Sequence, residues 1–320
     1  MNFRMFFRRV KTKLILILNT PFEVILFIKK RYQKKLFMEG QKKFLMNISI
    51  LTKSDLGKFI DPHWEKLNRK FFEIIKNGLP FNFLRHSLIG YTMFVRRGGE
   101  VMRIEKELLK KSFPNSLLKE VLLEEYIGLP IIFDHEFYTS HNSIRLLYHI
   151  ARWQEATGQF ISDMNNIIEW GGGYGRMAVL IERLKHGQLL TYVIVDTPLF
   201  SSIQWIYLST VLGKEKINLL DNVDSKIVWG RINLVPLNFV DNLDIRADLF
   251  LSTWALSESS LFSIKYVIKK NLYSAKHVLI GYQDKSLVLP ESEEVKEIAD
   301  SFGCKTENIP FLPKNHYIFS

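Results

Sequence analysis

The sequence predicts an α/β fold in which a largely parallel sheet follows a mainly helical N-terminal region. From about residue 160, short apolar runs alternate with longer amphipathic stretches. This alternation predicts parallel strands with helices on both faces of the sheet. A glycine-rich turn directly after the first apolar run supports the same interpretation, because such turns join a strand to a helix at ligand-binding edges.

The expected elements of this region can be given in chain order. The first strand ends at Glu169. The following elements are expected as helix 174–185, strand 192–196, helix 200–212, strand 234–237, strand 248–254, helix 259–271, strand 277–281, helix 291–302, and strands 306–311 and 316–319. The last two strands predict a C-terminal hairpin, which is the organisation of a Rossmann-like methyltransferase sheet rather than that of a dehydrogenase.

Three segments are expected along the chain: a basic amphipathic leader over residues 1–45, a helical substrate or cap region over 46–155, and the sheet domain over 156–320. The helical segments of the middle region are separated by Pro and Gly residues. A helix over 143–153 leads into the sheet.

The segment Glu169-Trp170-Gly171-Gly172-Gly173-Tyr174-Gly175 is the most informative motif. Glycine lets the backbone turn sharply and lets a ligand approach closely. Arg176 stands where the dinucleotide fingerprint would continue, so the strict G-x-G-x-x-G is not met. Glu169, Gly171, Gly173 and Gly175 are therefore predicted to bind a ligand with a carboxylate, an ammonium and a ribose. S-adenosyl-L-methionine has all three groups.

A second acid completes this prediction. Asp196 ends the second strand and follows Gly175 by 21 residues, where a carboxylate accepts ribose hydroxyls. Thr197 is expected at the adenine edge, and Asn238 is expected to bond the adenine amino group. Ser252, at the end of the fourth strand, is also predicted at the cofactor-binding edge.

Composition narrows the remaining possibilities. Hydrophobic residues make up 47% of the 320, enough for a substantial core. Cys304 is the only cysteine, which excludes an intrachain disulfide and fits a cytoplasmic location. The first 43 residues hold 12 Lys and Arg but only two acids, so they carry +10 of the net charge of +11. The nearly neutral remainder argues against nucleic acid as a partner.

The basic leader is also apolar, with runs at Leu14–Leu18 and Val24–Ile28. No uninterrupted run reaches the roughly 18 residues that a spanning helix needs. Two interpretations stay open: a helix lying on the inner face of the plasma membrane, or ordinary helices packed on the domain.

Several blocks resemble the bacterial sugar O-methyltransferases: EWGGGYGRMA, VIVDTPLFSSIQWIYLSTVLG, FLSTWALSES and SHNSIRLLYHIARW. The resemblance covers about residues 125–320. Trp170 departs from it, and residues 1–45 lie outside it. It implies methyl transfer to a hydroxyl of a sugar, a nucleotide-sugar or a lipid-linked glycan during surface polysaccharide or glycolipid assembly.

O-methylation needs a base that takes the hydroxyl proton. His141, Glu258 and His316 are the predicted catalytic residues; further histidines in the matching region are His135, His149 and His277. No metal is predicted, although the carboxylates of Asp134-His135-Glu136 are spaced to share one face of a strand. Two alternative functions remain at this point: an NAD-linked sugar oxidoreductase or epimerase, and a non-catalytic scaffold of a glycan-assembly complex.

Overall fold

The computed structural model describes residues 28–52, 56–93 and 98–320. The apolar run predicted at Leu14–Leu18 and nearly all of the second run lie outside these residues. Within them, the chain forms one mixed sheet covered by helices on both faces, with the helical N-terminal region packed against one of those helical layers.

The sheet has eight strands in the order β3-β4-β2-β1-β5-β6-β8-β7. The strands are β1 Asn166–Trp170, β2 Thr191–Asp196, β3 Ile217–Leu219, β4 Ile232–Pro236, β5 Leu249–Thr253, β6 His277–Gln283, β7 Lys305–Asn308 and β8 Asn315–Phe319. The first six are parallel, and β8 pairs antiparallel with both β6 and β7. The terminal hairpin and the Rossmann-like methyltransferase sheet are therefore confirmed. Only the three-residue edge strand β3 was not expected, because it is too short to show periodicity.

The helices occupy the segments that the apolar patterns indicate. They are α1 over residues 28–51, α2 Pro62–Ile75, α3 Ser87–Met93, α4 Glu100–Ser112, α5 Asn115–Leu122, α6 His141–Thr157, α7 Arg176–Leu184, α8 Pro198–Leu212, α9 Leu261–Lys269 and α10 Lys296–Phe302. Helix α6 begins where Ser140 accepts a hydrogen bond from the Ser143 N–H. It ends at Gly158, whose left-handed conformation caps the last turn.

Helix α1 belongs to the main core rather than to a separate leader. Phe37, Phe44 and Ile48 are buried in the same cluster as residues of α8. A Cβ on Gly40 would lie 3.3 Å from Ile206 of α8, so the small residue permits this close crossing. The expected boundary at residue 45 thus falls inside a continuous helix. The division into three segments stays a prediction.

Two arginines of α7 hold the segment that follows α5. Arg176 is fully buried, lies 3.4 Å from the Glu124 carboxylate, and donates from Nε to Ser143 Oγ at 2.8 Å. Arg183 donates to the Val121 carbonyl at 3.1 Å and pairs with Glu125. The helical region is thereby joined to the helix that begins directly after the glycine turn.

The described helices contain none that is long and apolar enough to cross a lipid bilayer.

Replacing Arg176 by Met should strongly destabilise the protein. It leaves the Glu124 carboxylate buried without its cation, which costs about 3–5 kcal/mol of the free energy of unfolding. Adding Glu124→Gln should recover part of this loss, because the uncompensated charge is then removed. Urea unfolding followed by circular dichroism measures both changes.

The matched control is Arg69→Met on α2, where the arginine side chain is 78% exposed and pairs with Glu65. This change should stay within about 0.5 kcal/mol. Equal destabilisation by Arg176→Met and Arg69→Met would contradict a structural role for the buried pair.

Candidate functional site

A cavity of about 850 Å³ opens at the carboxyl ends of β1, β2 and β5. One half is formed by the glycine turn and the acids at the strand ends. The other half is formed by one face of α6, the segment after β5 and the loop before β8. The start of α2 and residues of α3 and α4 also line it. Ligands bind at this edge in open α/β sheets because the connecting loops diverge there.

The glycine turn has a backbone that only glycine adopts without strain. Gly171 has φ +78° and donates its N–H to the Val195 carbonyl at 2.8 Å. A Cβ on it would lie 2.0 Å from the Ala255 Cβ. A Cβ on Gly172 would lie 2.6 Å from the Ile194 side chain and 3.0 Å from the Glu169 carboxylate. The sequence prediction did not include Gly172, which also lines the cavity together with Gly173.

Glu169 places a buried carboxylate at the base of the turn. It is 2% exposed and accepts a hydrogen bond from the Tyr192 hydroxyl at 2.9 Å. Burial raises its pKa to about 8, and the neighbouring Asp196 carboxylate acts in the same direction. A cation bound in the cavity would favour the charged form, because opposite charges lower a carboxyl pKa.

Asp196 faces the turn from the end of β2. Its oxygens accept hydrogen bonds from the Thr197 N–H and from Gln204 Nε2, both at 2.8 Å. Burial raises its pKa to about 7, although these bonds favour the charged form. Gln204 also donates to the Gly173 carbonyl at 3.0 Å, so it fixes Asp196 against the turn. A lone amide within the apolar helix α8 was the available sequence signal for Gln204.

Three predicted cofactor residues do not line the cavity. Gly175 begins α7, and a Cβ on it would lie 3.0 Å from Leu208, so its role is helix packing. Ser252 is fully buried; its hydroxyl donates to the Trp170 carbonyl and accepts from the Leu256 N–H. Asn238 lies one residue beyond Leu237, which takes the cavity position instead. Thr197 does line the cavity, as predicted.

His141 lies in the second half of the cavity, at the first residue of α6. Its Nε2 is 2.6 Å from the Glu105 carboxylate, and both side chains are fully buried. A carboxylate accepts hydrogen bonds only, so Nε2 carries the proton and Nδ1 of neutral His141 keeps its lone pair. Nδ1 has no hydrogen-bond partner among the described residues. The Arg145 guanidinium pairs with the other Glu105 oxygen.

Glu258 also lines this half of the cavity, four residues after Trp254. Burial alone raises its pKa to about 7. Its carboxylate forms no ion pair with any residue in the described ranges. A carboxyl group with a pKa near neutrality is suited to exchange a proton with a bound hydroxyl.

His316 does not line the cavity, so its predicted catalytic role is not supported. Its Nδ1 lies 2.8 Å from Asn308, its Nε2 lies 2.9 Å from Asp284, and its ring stacks on Tyr282. Both nitrogens are therefore used within the C-terminal hairpin region. The adjacent Asn315 lines the cavity instead, because successive residues of a strand point to opposite faces.

The acidic cluster Asp134-His135-Glu136 lies in a tight turn rather than in a strand, closed by a bridge from Asp134 to Thr139. Lys106 pairs with both carboxylates. No group of three metal-binding side chains occurs within residues 28–52, 56–93 and 98–320.

Trp254 was missed as a candidate because an aromatic residue in a strand usually indicates core packing. It has φ +69°, and its indole N–H donates to Asn315 at 2.6 Å. Its ring packs edge-on against His149, at 5.1 Å between centroids. A bulky residue held in the left-handed region is strained, and such strain concentrates at functional sites.

A scan against models of protein families found no match, and no curated protein sequence is similar to this chain. Several solved structures resemble parts of it. The mitomycin 7-O-methyltransferase MmcR is 12% identical over 56% of this chain, with a TM-score of 0.38, and this chain covers about half of that protein (54%). Two others are reported with their organisms.

The SAH-bound methyltransferase PaMTH1 of Podospora anserina is 12% identical over 70% of this chain and 97% of its own, with a TM-score of 0.38. A SAM-dependent methyltransferase of Aquifex aeolicus is 15% identical over 67% of this chain and 96% of its own, with a TM-score of 0.36. Likenesses this distant carry no argument about the cofactor or substrate of this chain.

Gly171→Ala should destabilise the protein more than a glycine substitution with the same backbone strain. The new Cβ overlaps Ala255, so about 1–3 kcal/mol of overpacking adds to the conformational cost. Gly158 has φ +71° and nothing within 4 Å of its would-be Cβ, which makes Gly158→Ala the matched control. Its expected cost is only about 1–2 kcal/mol. Chemical denaturation of both variants tests this, and equal losses would contradict the close approach.

The stability of the ligand-free protein should fall as the pH rises from about 5 to about 8. Glu169 and Asp196 have folded pKa values of about 8 and 7, above their ordinary values of 4.5 and 3.8. In this window the native state binds more protons than the unfolded chain, so raising the pH favours unfolding.

Glu169→Gln and Asp196→Asn should flatten this profile, since each pKa unit corresponds to about 1.4 kcal/mol. Thermal melts between pH 5 and 9 measure the effect. Glu297→Gln, an exposed site on α10, serves as the control and should follow the wild-type profile. A wild-type profile that rises through this window would contradict the burial of the two acids.

Proposed function

We propose that this protein is an S-adenosyl-L-methionine-dependent O-methyltransferase that modifies a sugar hydroxyl in surface glycan or glycolipid biosynthesis. The observation that carries the proposal is a single cavity with two chemically different halves. One half presents the glycine turn with Glu169 and Asp196. The other presents His141, backed by Glu105, together with Glu258.

The first half fits the cofactor in charge and shape. S-adenosyl-L-methionine supplies an electrophilic methyl group on a sulfonium. Glu169 would bind its ammonium, Asp196 its ribose hydroxyls, and Thr197 and Leu237 would flank its adenine. Three carboxylates line the cavity in Glu169, Asp196 and Glu258. They favour a positively charged ligand over one with a pyrophosphate.

The second half fits proton removal from an acceptor hydroxyl. Glu105 accepts the Nε2 proton and thereby orients His141 with Nδ1 available as the base. This is the arrangement of a base held by a third group. Glu105 is a positioning residue in this proposal. Glu258 would bind the acceptor hydroxyls or take the proton in its place.

The sugar class is supported by the sequence resemblance and by the mixture of side chains in this half. Trp254 offers a flat apolar ring, and Arg145, Glu258 and His149 surround it with polar groups. A sugar presents both an apolar face and hydroxyl groups, so it matches both kinds of contact. The acceptor would be a free sugar, a nucleotide-sugar or a lipid-linked glycan.

The test combines cofactor binding with methyl transfer. The wild type should bind S-adenosylhomocysteine in calorimetry, and Asp196→Asn should weaken binding at least tenfold by losing the ribose acceptor. His141→Ala should leave this affinity within twofold but lower kcat for a sugar acceptor about 10²–10⁴-fold, as expected for loss of a general base. His63→Ala, on the exposed side of α2, is the matched control.

Folded wild type that does not bind S-adenosylhomocysteine would overturn the proposal. Stabilisation by NAD in the same samples would instead favour the oxidoreductase alternative. Full methyl transfer by His141→Ala would leave the cofactor assignment standing but would exclude His141 as the base.

A further inference from the structure

Helix α1 is anchored by one face only. Phe37 and Phe44 are fully buried on that face, and Phe37 packs edge-on against Phe81 at 5.4 Å. Near its first described turn, Lys29 and Gln33 hold the buried Glu125 carboxylate. These contacts fix the helix rigidly on the domain and determine which side chains point away from it.

The outward face carries an exposed apolar stripe. Ile28, Tyr32, Met46 and Ile50 are 60%, 61%, 46% and 45% exposed. They are separated by four and by 18 residues, and 18 residues make about five complete helical turns. Met38, 56% exposed, lies beside them. Five of the twelve large hydrophobic side chains exposed in the described part of the chain therefore lie on this one helix.

A basic stripe runs alongside the apolar one. Arg31, Lys34, Lys35 and Lys42 are exposed on the same side of α1. Residues 28–52 hold seven Lys and Arg and one acid, Glu39, so they carry a formal net charge of +6. Residues 44–320 together carry only +1, so the positive charge is concentrated here and in the preceding 27 residues.

We infer that this outward face of α1 binds the surface of an anionic lipid membrane. Exposed Lys and Arg are attracted to anionic headgroups, and apolar side chains on the same face enter the boundary between headgroups and acyl chains. Nucleic acid would match the charge but not the apolar stripe. A second copy of the chain would match the apolar stripe but would bring two +6 helices together.

The surface is separate from the candidate site. None of the residues of α1 lines the cavity at the sheet edge. Membrane binding and cofactor binding are therefore independent properties, and a substitution on the outward face should leave the cavity intact. The inference does not rest on the proposed methyl transfer, and either one can fail alone.

The experiment is co-sedimentation of the full chain with sucrose-loaded vesicles. One set is pure phosphatidylcholine, and the other contains 30% phosphatidylglycerol. The wild type should bind only the anionic vesicles, and raising the salt from 0.1 to 0.5 M should weaken binding. The charge variant Lys34→Glu, Lys35→Glu, Lys42→Glu should lose at least tenfold in partition coefficient, since each basic residue near the surface contributes about fivefold.

Two further variants make the test specific. Ile28→Ser, Tyr32→Ser, Met46→Ser should also lose at least tenfold, which counterion attraction alone would not predict. Lys265→Glu, Lys269→Glu, Lys305→Glu makes the same charge change at exposed positions on α9 and β7, and should bind within a factor of three of the wild type. Calorimetry with S-adenosylhomocysteine and a thermal melt establish that each variant is folded.

Equal binding to both kinds of vesicle, or wild-type binding by either α1 variant, would overturn the inference. So would an equal loss in the control variant, because the effect would then come from overall charge. Concentration-dependent dimerisation that the serine variant abolishes, with no vesicle binding by the wild type, would assign the face to self-association instead.

Discussion

The buried pair between Arg176 and Glu124 is the interaction on which the site depends. Arg176 begins the helix that follows the glycine turn, and its Nε donates to Ser143 in the first turn of α6. Glu124 in turn accepts from the Ser140 N–H and the Ser143 hydroxyl. Because the ions are excluded from water, each needs the other, and the geometry has little freedom. The pair therefore joins the glycine turn to the helix that carries His141.

This junction explains why one cavity has two chemical halves. Helix α6 is held with one face toward the carboxyl edge of the sheet, where β1 and β2 deliver Glu169 and Asp196. Asn142 adds a second link by donating to the Tyr174 hydroxyl of the glycine turn at 3.2 Å. The N-terminal region closes over the edge and removes water from it. Burial then raises the pKa values of the cavity acids toward neutrality.

Charge is distributed unevenly over the molecule. Within the cavity, Arg145 and Arg176 are each paired with a buried glutamate, so Glu169, Asp196 and Glu258 leave it acidic. On the opposite side of the α1 anchoring face, Lys and Arg dominate the exposed surface. The acidic cavity suits a cationic ligand, whereas the basic surface suits an anionic one.

The sequence by itself determined the order of strands and helices, the terminal hairpin and the cavity positions of Glu169, Gly171, Gly173, Asp196 and Thr197. These follow from short-range patterns: apolar runs, glycines at a turn and acids at strand ends. Gly172, Gln204 and Glu105 were missed, and Gly175, Asn238, Ser252 and His316 were misplaced. Their roles depend on contacts between segments distant in sequence, such as Glu105 with His141, and on which face of an element points to the cavity. Only the tertiary packing sets those contacts.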